Sequence, residues 1–551
     1  GFFYASRPER PRQAQVNAKP ESVEQALAYA RERLEAIRAA AGPHAVAAVG
    51  SVRSSLETQA VLARAAKIKG WRGPAFFDDS ACARKMHAAI GRGAPELAVS
   101  LAEIESADFV LAVGADPLNE APMLALSLRQ ASRKGAQVVV IDPRPVSLPF
   151  DFMHIAAAPE ALDGTFLSLV KAGADPGLPE AAGRHAEAVT AAARRLRDSR
   201  RPVIVCGTDL PTTETVSLAS DAALLLAATG KKAGLFYVMP GANAFGAALL
   251  AHPEQSLAGI LEAAAQGAVR ALVLVESDPF ATFADRGLLE RALARLELLV
   301  VLDHLASAAA DRAQVFLPTQ SLFEAGGLYV NAEGRVQASL PTGAAGSPVT
   351  QEGRGSHPPR VYGAGLPGAE PRPAWELVAR LSGDDLPEDA TAARDRVRRH
   401  LCQTAPELRA WVDGAEPPGD GARLAAAPAA GQRVAPPQPA SGAPVTGGYD
   451  LLFVEWTFGT EELSAGSPCL EALAAEPYAG IHPQDAAALG VADGDRVSIR
   501  SKHGALDVKV RLFENMACGV IVVPRHRKLA WQALGGHQLR LRPGDVRKVG
   551  T

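Results

Sequence analysis

The stretch "DFVLAVGADPLNEAPMLALSLRQASRKGAQVVVIDPR", residues 108–144, decides the fold. An apolar run ends in Gly114, a short turn follows, the stretch "NEAPMLALSLRQA" (119–131) reads as a helix, and a second apolar run ends in Asp142. A continuous apolar run suits a parallel strand buried on both faces, and the helical crossover between two such runs makes a βαβ unit. The same alternation recurs at 44–51 ("HAVAAVGS"), 201–209 ("RPVIVCGTD"), 269–279 ("VRALVLVESDP") and 296–304 ("LELLVVLDH"). The body of the chain is therefore expected to be α/β. Near its start, "ESVEQALAYARERLEAIRAA" predicts a surface helix opened by a capping box between Ser22 and Gln25.

At Gly114 the turn sets backbone N–H groups where an anionic phosphate can sit. Asp142, at the end of the neighbouring strand, is placed to accept from a ribose or a base in the same crevice. Strand–Gly–turn–helix units also occur as plain architecture, so this feature alone names no ligand.

At 551 residues the chain exceeds one core, and two to four domains are expected. A net charge of -3 gives no electrostatic reason for a nucleic-acid partner. No run approaches the roughly 20 apolar residues that span a bilayer, so a soluble, cytoplasmic chain is expected. The cysteines, Cys82, Cys206, Cys402, Cys469 and Cys518, form no C-x-x-C pair, which argues against a disulfide framework and against a self-contained iron–sulfur or zinc site. Residues 341–373 and 416–448 are rich in Gly and Pro, the second stretch in Ala as well, and are expected as loop and linker; the short β patterns with Asp-Gly and His-Gly turns after Tyr449 predict a small β-barrel. The basic clusters at 194–201 and 394–400 are expected as solvated helix faces. The start "GFFYASRPER" carries no Met, which points to a processed or incomplete sequence.

Four blocks taken in order carry a resemblance: "GADPLNEAP" with "VIDPR", "SDP" at 277–279, "LPTQSLFEAGGLYVNAEGRVQ" at 317–337, and "HPQDAAALGVADGDRVSIRSKHG" at 482–504. Together they resemble the molybdopterin oxidoreductase superfamily, and "FEAGGLYVNAEGRVQ" and "NEAPMLALSLRQA" look like the G-subunit family of respiratory complex I, the NADH:quinone oxidoreductase. The resemblance implies Rossmann-like parallel sheets and a C-terminal six-stranded, double-psi type β-barrel. It implies a discontinuous α/β domain at 1–75 with 197–412, an inserted Rossmann-like domain at 76–196, a linker at 413–448 and the barrel at 449–551. It implies that Gly114, Asp116, Asn119, Asp142 and Arg144 line one dinucleotide half-site, and that Glu324, Gly327, Asn331, Glu333, Gly334, Arg335 and Gln337 form a loop facing the pterin. In a branch without cofactor these are vestigial, and Asn331 and Arg335 simply satisfy the backbone of their loop.

"DDSACARKMH", residues 78–87, looks like the metal-ligand loop of catalytic formate dehydrogenases. Cys82, Arg84 and His87 fit that pattern, while the position of the ligating Cys or selenocysteine holds Met86. A thioether carries no negative charge and suits a high-valent molybdenum or tungsten centre poorly. On a helix Cys82 shares the face of Met86 but lies a turn away, roughly 5–6 Å, too far to take its place. In addition, "APEALDG" (158–164) stands where cofactor-holding relatives carry a P-G-T-D turn.

The expectation is therefore a structural, cofactor-free subunit, not catalytic by itself. It would sit in the peripheral arm of a respiratory complex at the cytoplasmic side of the inner membrane, touching other subunits and spanning no membrane. Iron–sulfur clusters would lie in an upstream region or in partner subunits. The alternative is a formate dehydrogenase-like catalytic subunit binding molybdopterin guanine dinucleotide with molybdenum or tungsten. A third possibility, a free-standing nucleotide-binding module, leaves the barrel without a purpose.

Overall fold

Short apolar strands followed by helices build two parallel sheets in the computed structural model. It describes residues 9–92, 97–175, 184–343, 370–406, 408, 421–424, 447–465, 467–536 and 538–549. The chain divides into two units, the first comprising residues 1–87, 240–427 and 462–468, the second 88–239, 428–461 and 469–551.

The first unit is built on a seven-stranded sheet in the order Lys19–Glu21, Ala14–Val16, Val315–Pro318, Leu298–Asp303, Ala271–Val275, Val46–Val49, Arg72–Ala75. Its last five strands are parallel, and the four central ones are buried along their whole length, as strands covered on both faces must be. Helix Val23–Ala41 opens with the expected capping box: the Gln25 N–H donates to Ser22 Oγ at 3.2 Å and the Gln25 side chain returns to the Ser22 backbone. From Val46–Val49 the chain passes to Arg72–Ala75 on one side, while Ala271–Val275 pairs on the other. The strand order reverses there, which opens a crevice at the strands' carboxyl ends.

The second unit contains a five-stranded all-parallel sheet, Met153–Ile155, Gln137–Ile141, Phe109–Val113, Pro202–Gly207, Gly234–Val238. This corrects the expected boundary at 196. The run 202–207 pairs in register with Phe109–Val113, so the chain stays in this sheet until Val238. At the other end the first unit runs to His87 rather than to 75. Apolar runs of the same composition serve both sheets, and only hydrogen-bond pairing tells them apart.

The C-terminal segment is a curled seven-stranded half-barrel where six strands were expected. Its order is Gln538–Leu541, Tyr449–Val454, Val520–Pro524, Tyr478–Ile481, Ala505–Leu512, Arg496–Arg500, Val546–Lys548. The short last strand pairs with Arg496–Arg500 and makes the seventh. Expected as a domain apart, the half-barrel packs in one unit with the parallel sheet: Leu452, Val454 and Val522 share a core cluster with Ala158 and Leu210. Most of the 413–448 linker lies outside the described residues. Its Ala422–Arg423 pairs with Arg335–Val336 as the third strand of a small sheet.

Candidate functional site

In the second unit the residues expected to line a dinucleotide half-site do come together, around one buried guanidinium. Strand Phe109–Val113 ends at Gly114, whose φ of 56° suits glycine, and a Cβ there would stand 2.4 Å from Pro211 Cγ. Asp116 then caps the single helical turn Pro117–Glu120, accepting from the Asn119 backbone at 3.3 Å and from Asn119 Nδ2 at 2.7 Å. Arg144 forks onto Asp142 with two bonds of 2.8 Å. It also donates to Glu120 Oε1 at 2.6 Å, and Glu120 Oε2 accepts the Asp116 N–H at 2.8 Å. Asn119 Oδ1 accepts the backbone N–H and the hydroxyl of Thr457, both at 3.2 Å.

Sequence reasoning missed Glu120, although its spacing four residues after the capping Asp116 could have marked it as reaching back over the turn. Burial pushes Glu120 up to about 7 against the pull of Arg144. Burial would lower Arg144, but the Asp142 and Glu120 carboxylates overcome it and hold the guanidinium well above its ordinary value.

This arrangement does not fit a phosphate at the turn. The N–H groups of Asp116 and Asn119 are already taken by the carboxylates of Glu120 and Asp116. Segment 158–164 opens the helix Pro159–Ala174, with Ala158 at its N-cap.

Met86 holds the position that the resemblance to formate dehydrogenases gives to a metal ligand. Residues 80–92 form one helix, with Asp79 accepting the Cys82 N–H at 2.6 Å at its start. Met86 is 0% exposed, Cys82 is half-buried, and Arg84 points outward toward Glu254 at 3.4 Å. His87 is half-buried, and burial, then His252, lower its pKa. A buried thioether on the inner face of a helix does not fit a metal that needs an anionic ligand.

The expected pterin-facing loop is the turn of a hairpin between Gly327–Val330 and Arg335–Ser339. Asn331 Oδ1 accepts from the backbone of Glu333 at 3.1 Å and of Arg335 at 2.9 Å, and the Arg335 and Arg423 side chains both donate to the Glu333 carboxylate. Glu324 is held by Arg10 through bonds of 2.6 and 2.5 Å. Gly334 turns at φ 73° within the hairpin, and Gln337 is exposed.

A second cluster, which the sequence did not announce beyond its "SDP", occupies the crevice of the first unit's sheet. Glu276, directly after strand Ala271–Val275, takes φ 52°, unusual for a residue with a Cβ. Arg53 donates to the Glu276 carbonyl at 2.8 Å and to Asp303 Oδ2 at 2.9 Å. Asp303 Oδ1 accepts the backbone N–H groups of His304 and Leu305 at 2.7 and 3.1 Å, and Thr319 donates weakly to Glu276 Oε1 at 3.4 Å. Burial, then the Asp303 carboxylate, pushes Glu276 up to about 7; burial pushes Asp278 up to about 6 and drives His304 well below its usual range.

Glu276 carries a testable pH dependence. Its folded pKa lies above its unfolded one, so the folded state binds the proton more tightly, and its contribution is lost as pH rises from about 4.5 through about 7. Glu276→Gln, which keeps the shape of the protonated form, should match the wild type near pH 4.5 and exceed it on the order of 3 kcal/mol at pH 8. Denaturant titrations of both proteins across this range measure the difference, in which the opposing term from His304 cancels. A gap that stayed flat with pH would show that Glu276 does not titrate there.

Comparison with known proteins matches the Molybdopterin oxidoreductase family model to residues 22–351 and the Molydopterin dinucleotide binding domain model to residues 458–537. The G subunit of the NADH-quinone oxidoreductase of Shewanella oneidensis is 29% identical over 417 residues, which cover 70% of this chain and 43% of that one. Formate dehydrogenase H of Escherichia coli is 25% identical over 398 residues, covering 58% of this chain and 55% of that one. The chain thus spans under half the length of the Shewanella relative and just over half that of the formate dehydrogenase. Acetylene hydratase from Pelobacter acetylenicus shares the fold, with a TM-score of 0.55 at 13% identity over 95% of this chain and 85% of that one. Among the described residues no helix is long and apolar enough to cross a membrane.

Proposed function

The chain belongs to the molybdopterin oxidoreductase family, and from that premise we propose that it is a structural, G-type subunit of an NADH:quinone oxidoreductase complex and holds no molybdenum or tungsten itself. The observation that carries this is Met86, a fully buried thioether at the position that the resembling formate dehydrogenases give to an anionic ligand. The carboxylate-lined turn at Asp116–Glu120 supports it, because its N–H donors serve the protein's own side chains. In this role the protein supplies a rigid frame, and electrons from NADH to quinone pass through iron–sulfur clusters upstream of this segment or in neighbouring subunits. The frame sits in the peripheral arm, on the cytoplasmic side of the inner membrane.

A second reading keeps the cofactor: a formate dehydrogenase-like subunit binding molybdopterin guanine dinucleotide with molybdenum or tungsten. The match of residues 458–537 to a dinucleotide-binding domain favours it. Elemental analysis of the purified native assembly for molybdenum, tungsten and iron, with chromatography of released guanine nucleotide, decides between the two. Iron without molybdenum, tungsten or GMP is the expected result. Stoichiometric molybdenum or tungsten with GMP would overturn the structural role.

A further inference from the structure

We propose that His482, Asp485 and Cys518 form a binding site for a zinc-type divalent cation at one end of the C-terminal half-barrel. One ligand atom from each side chain lies within 4.8 Å of the others, and all three are half-buried, open enough for an ion to enter. Sheet register brings them together. His482 directly follows strand Tyr478–Ile481 and Cys518 directly precedes Gly519 and strand Val520–Pro524, and those strands pair antiparallel with Ile481 opposite Ile521. Residues 36 apart in sequence thereby meet at the same strand ends. Asp485 lies in the first turn of helix Pro483–Leu489, which His482 caps.

The spacing of the sulfur and the imidazole suits two ligands of a tetrahedral metal. Cys518 Sγ is 3.4 Å from His482 Nδ1. Zn–S and Zn–N bonds of about 2.3 and 2.0 Å put two tetrahedral ligands roughly 3.5 Å apart. The Gly519 N–H donates to Asp485 Oδ2 at 2.7 Å, orienting the carboxylate as an outer-shell donor orients a metal ligand. Gln484 Oε1 lies 3.4 Å from the same sulfur, so the fourth position falls to this amide oxygen or to water. Coordination at Nδ1 displaces the 3.2 Å bond that the Gln484 N–H makes there, the cost of binding at that nitrogen.

Charge and softness point the same way. A thiolate and a carboxylate neutralise a divalent ion, and binding releases the thiol proton. One nitrogen, one oxygen and one sulfur donor suit Zn²⁺ or Co²⁺, whereas Mg²⁺ and Ca²⁺ require oxygen throughout. The absence of a C-x-x-C pair argued against a self-contained zinc site from spacing alone, but this donor set comes from three separate turns. The ion would tie the ends of two neighbouring strands.

The test titrates the full chain, reduced and stripped by chelator, with Co²⁺ and then with Zn²⁺. One Co²⁺ per chain should bind with a sulfur-to-cobalt charge-transfer band, be displaced by one equivalent of Zn²⁺, and raise the thermal midpoint. Cys518→Ser should abolish the band. Asp485→Asn should keep it but weaken Co²⁺ roughly tenfold or more. Both side chains are half-buried, and circular dichroism checks that each variant folds; His482→Asn, which retains a capping side chain, is the third variant. If the unaltered chain gives no band, the sulfur and imidazole share only a hydrogen bond and the site is refuted. A band that survives Cys518→Ser assigns the metal to another thiol and refutes it equally.

Discussion

Arg144→Met should destabilise the second unit by about 3–5 kcal/mol, the usual cost of stripping a buried carboxylate of its partner. Arg144 and Asp142 are both buried, and the guanidinium meets Asp142 through a two-bond fork and Glu120 through a third bond. Methionine matches the aliphatic stem and leaves two carboxylates without their cation, beside a third at Asp116. Urea unfolding at pH 7 measures the loss. The deficit should shrink as pH falls toward 5, because protonation discharges carboxylates that burial has already raised. Adding Asp142→Asn should recover part of it, since the two changes share one interaction. A loss below about 1 kcal/mol, or one indifferent to pH, would mean that the guanidinium is not the counter-charge of this cluster.

Gly207→Ala should cost about 3 kcal/mol or more, at the upper end of overpacking penalties. Gly207 ends strand Pro202–Gly207, and a Cβ there would stand 1.8 Å from the Gly114 carbonyl oxygen and 3.3 Å from Ala115 Cα. The obstacle is backbone, which cannot rotate aside as a side chain can, so two neighbouring strands would have to part. Gly164→Ala is the control: it lies in helix Pro159–Ala174, nothing stands within 4 Å of its Cβ, and alanine should be neutral or stabilising by up to about 1 kcal/mol. Thermal unfolding of both variants reads the contrast; equal midpoints would mean that the strands separate more easily than their packing implies.

Much of the candidate site was legible because it rests on local chemistry. The Gly114 turn and the capping box of Ser22 with Gln25 each follow from residues within a few positions of one another, whereas residues 80–92, read as a loop, form a helix. The strand–turn–helix–strand pattern picked out Gly114 and Asp142, the family resemblance added Asp116, Asn119 and Arg144, and these side chains meet. Their mutual saturation was not legible, because it depends on Glu120 reaching back over its turn and on Thr457 arriving from 338 residues further along the chain.

The sequence by itself determined the class of fold, the positions of most strands and helices, and the thioether at residue 86, since each is written in the period of apolar residues or in a single side chain. Tertiary structure alone decided which sheet receives strands 202–207 and 234–238, that the half-barrel has seven strands, and that Arg53, Glu276, Asp303 and His304 share one crevice. It also decided that His482 meets Cys518. The physical reason is the same in each case. Backbone hydrogen bonding between strands carries no side-chain signature, so the partner of an apolar run, and whatever that partner brings to the strand ends, is settled only when the sheet forms.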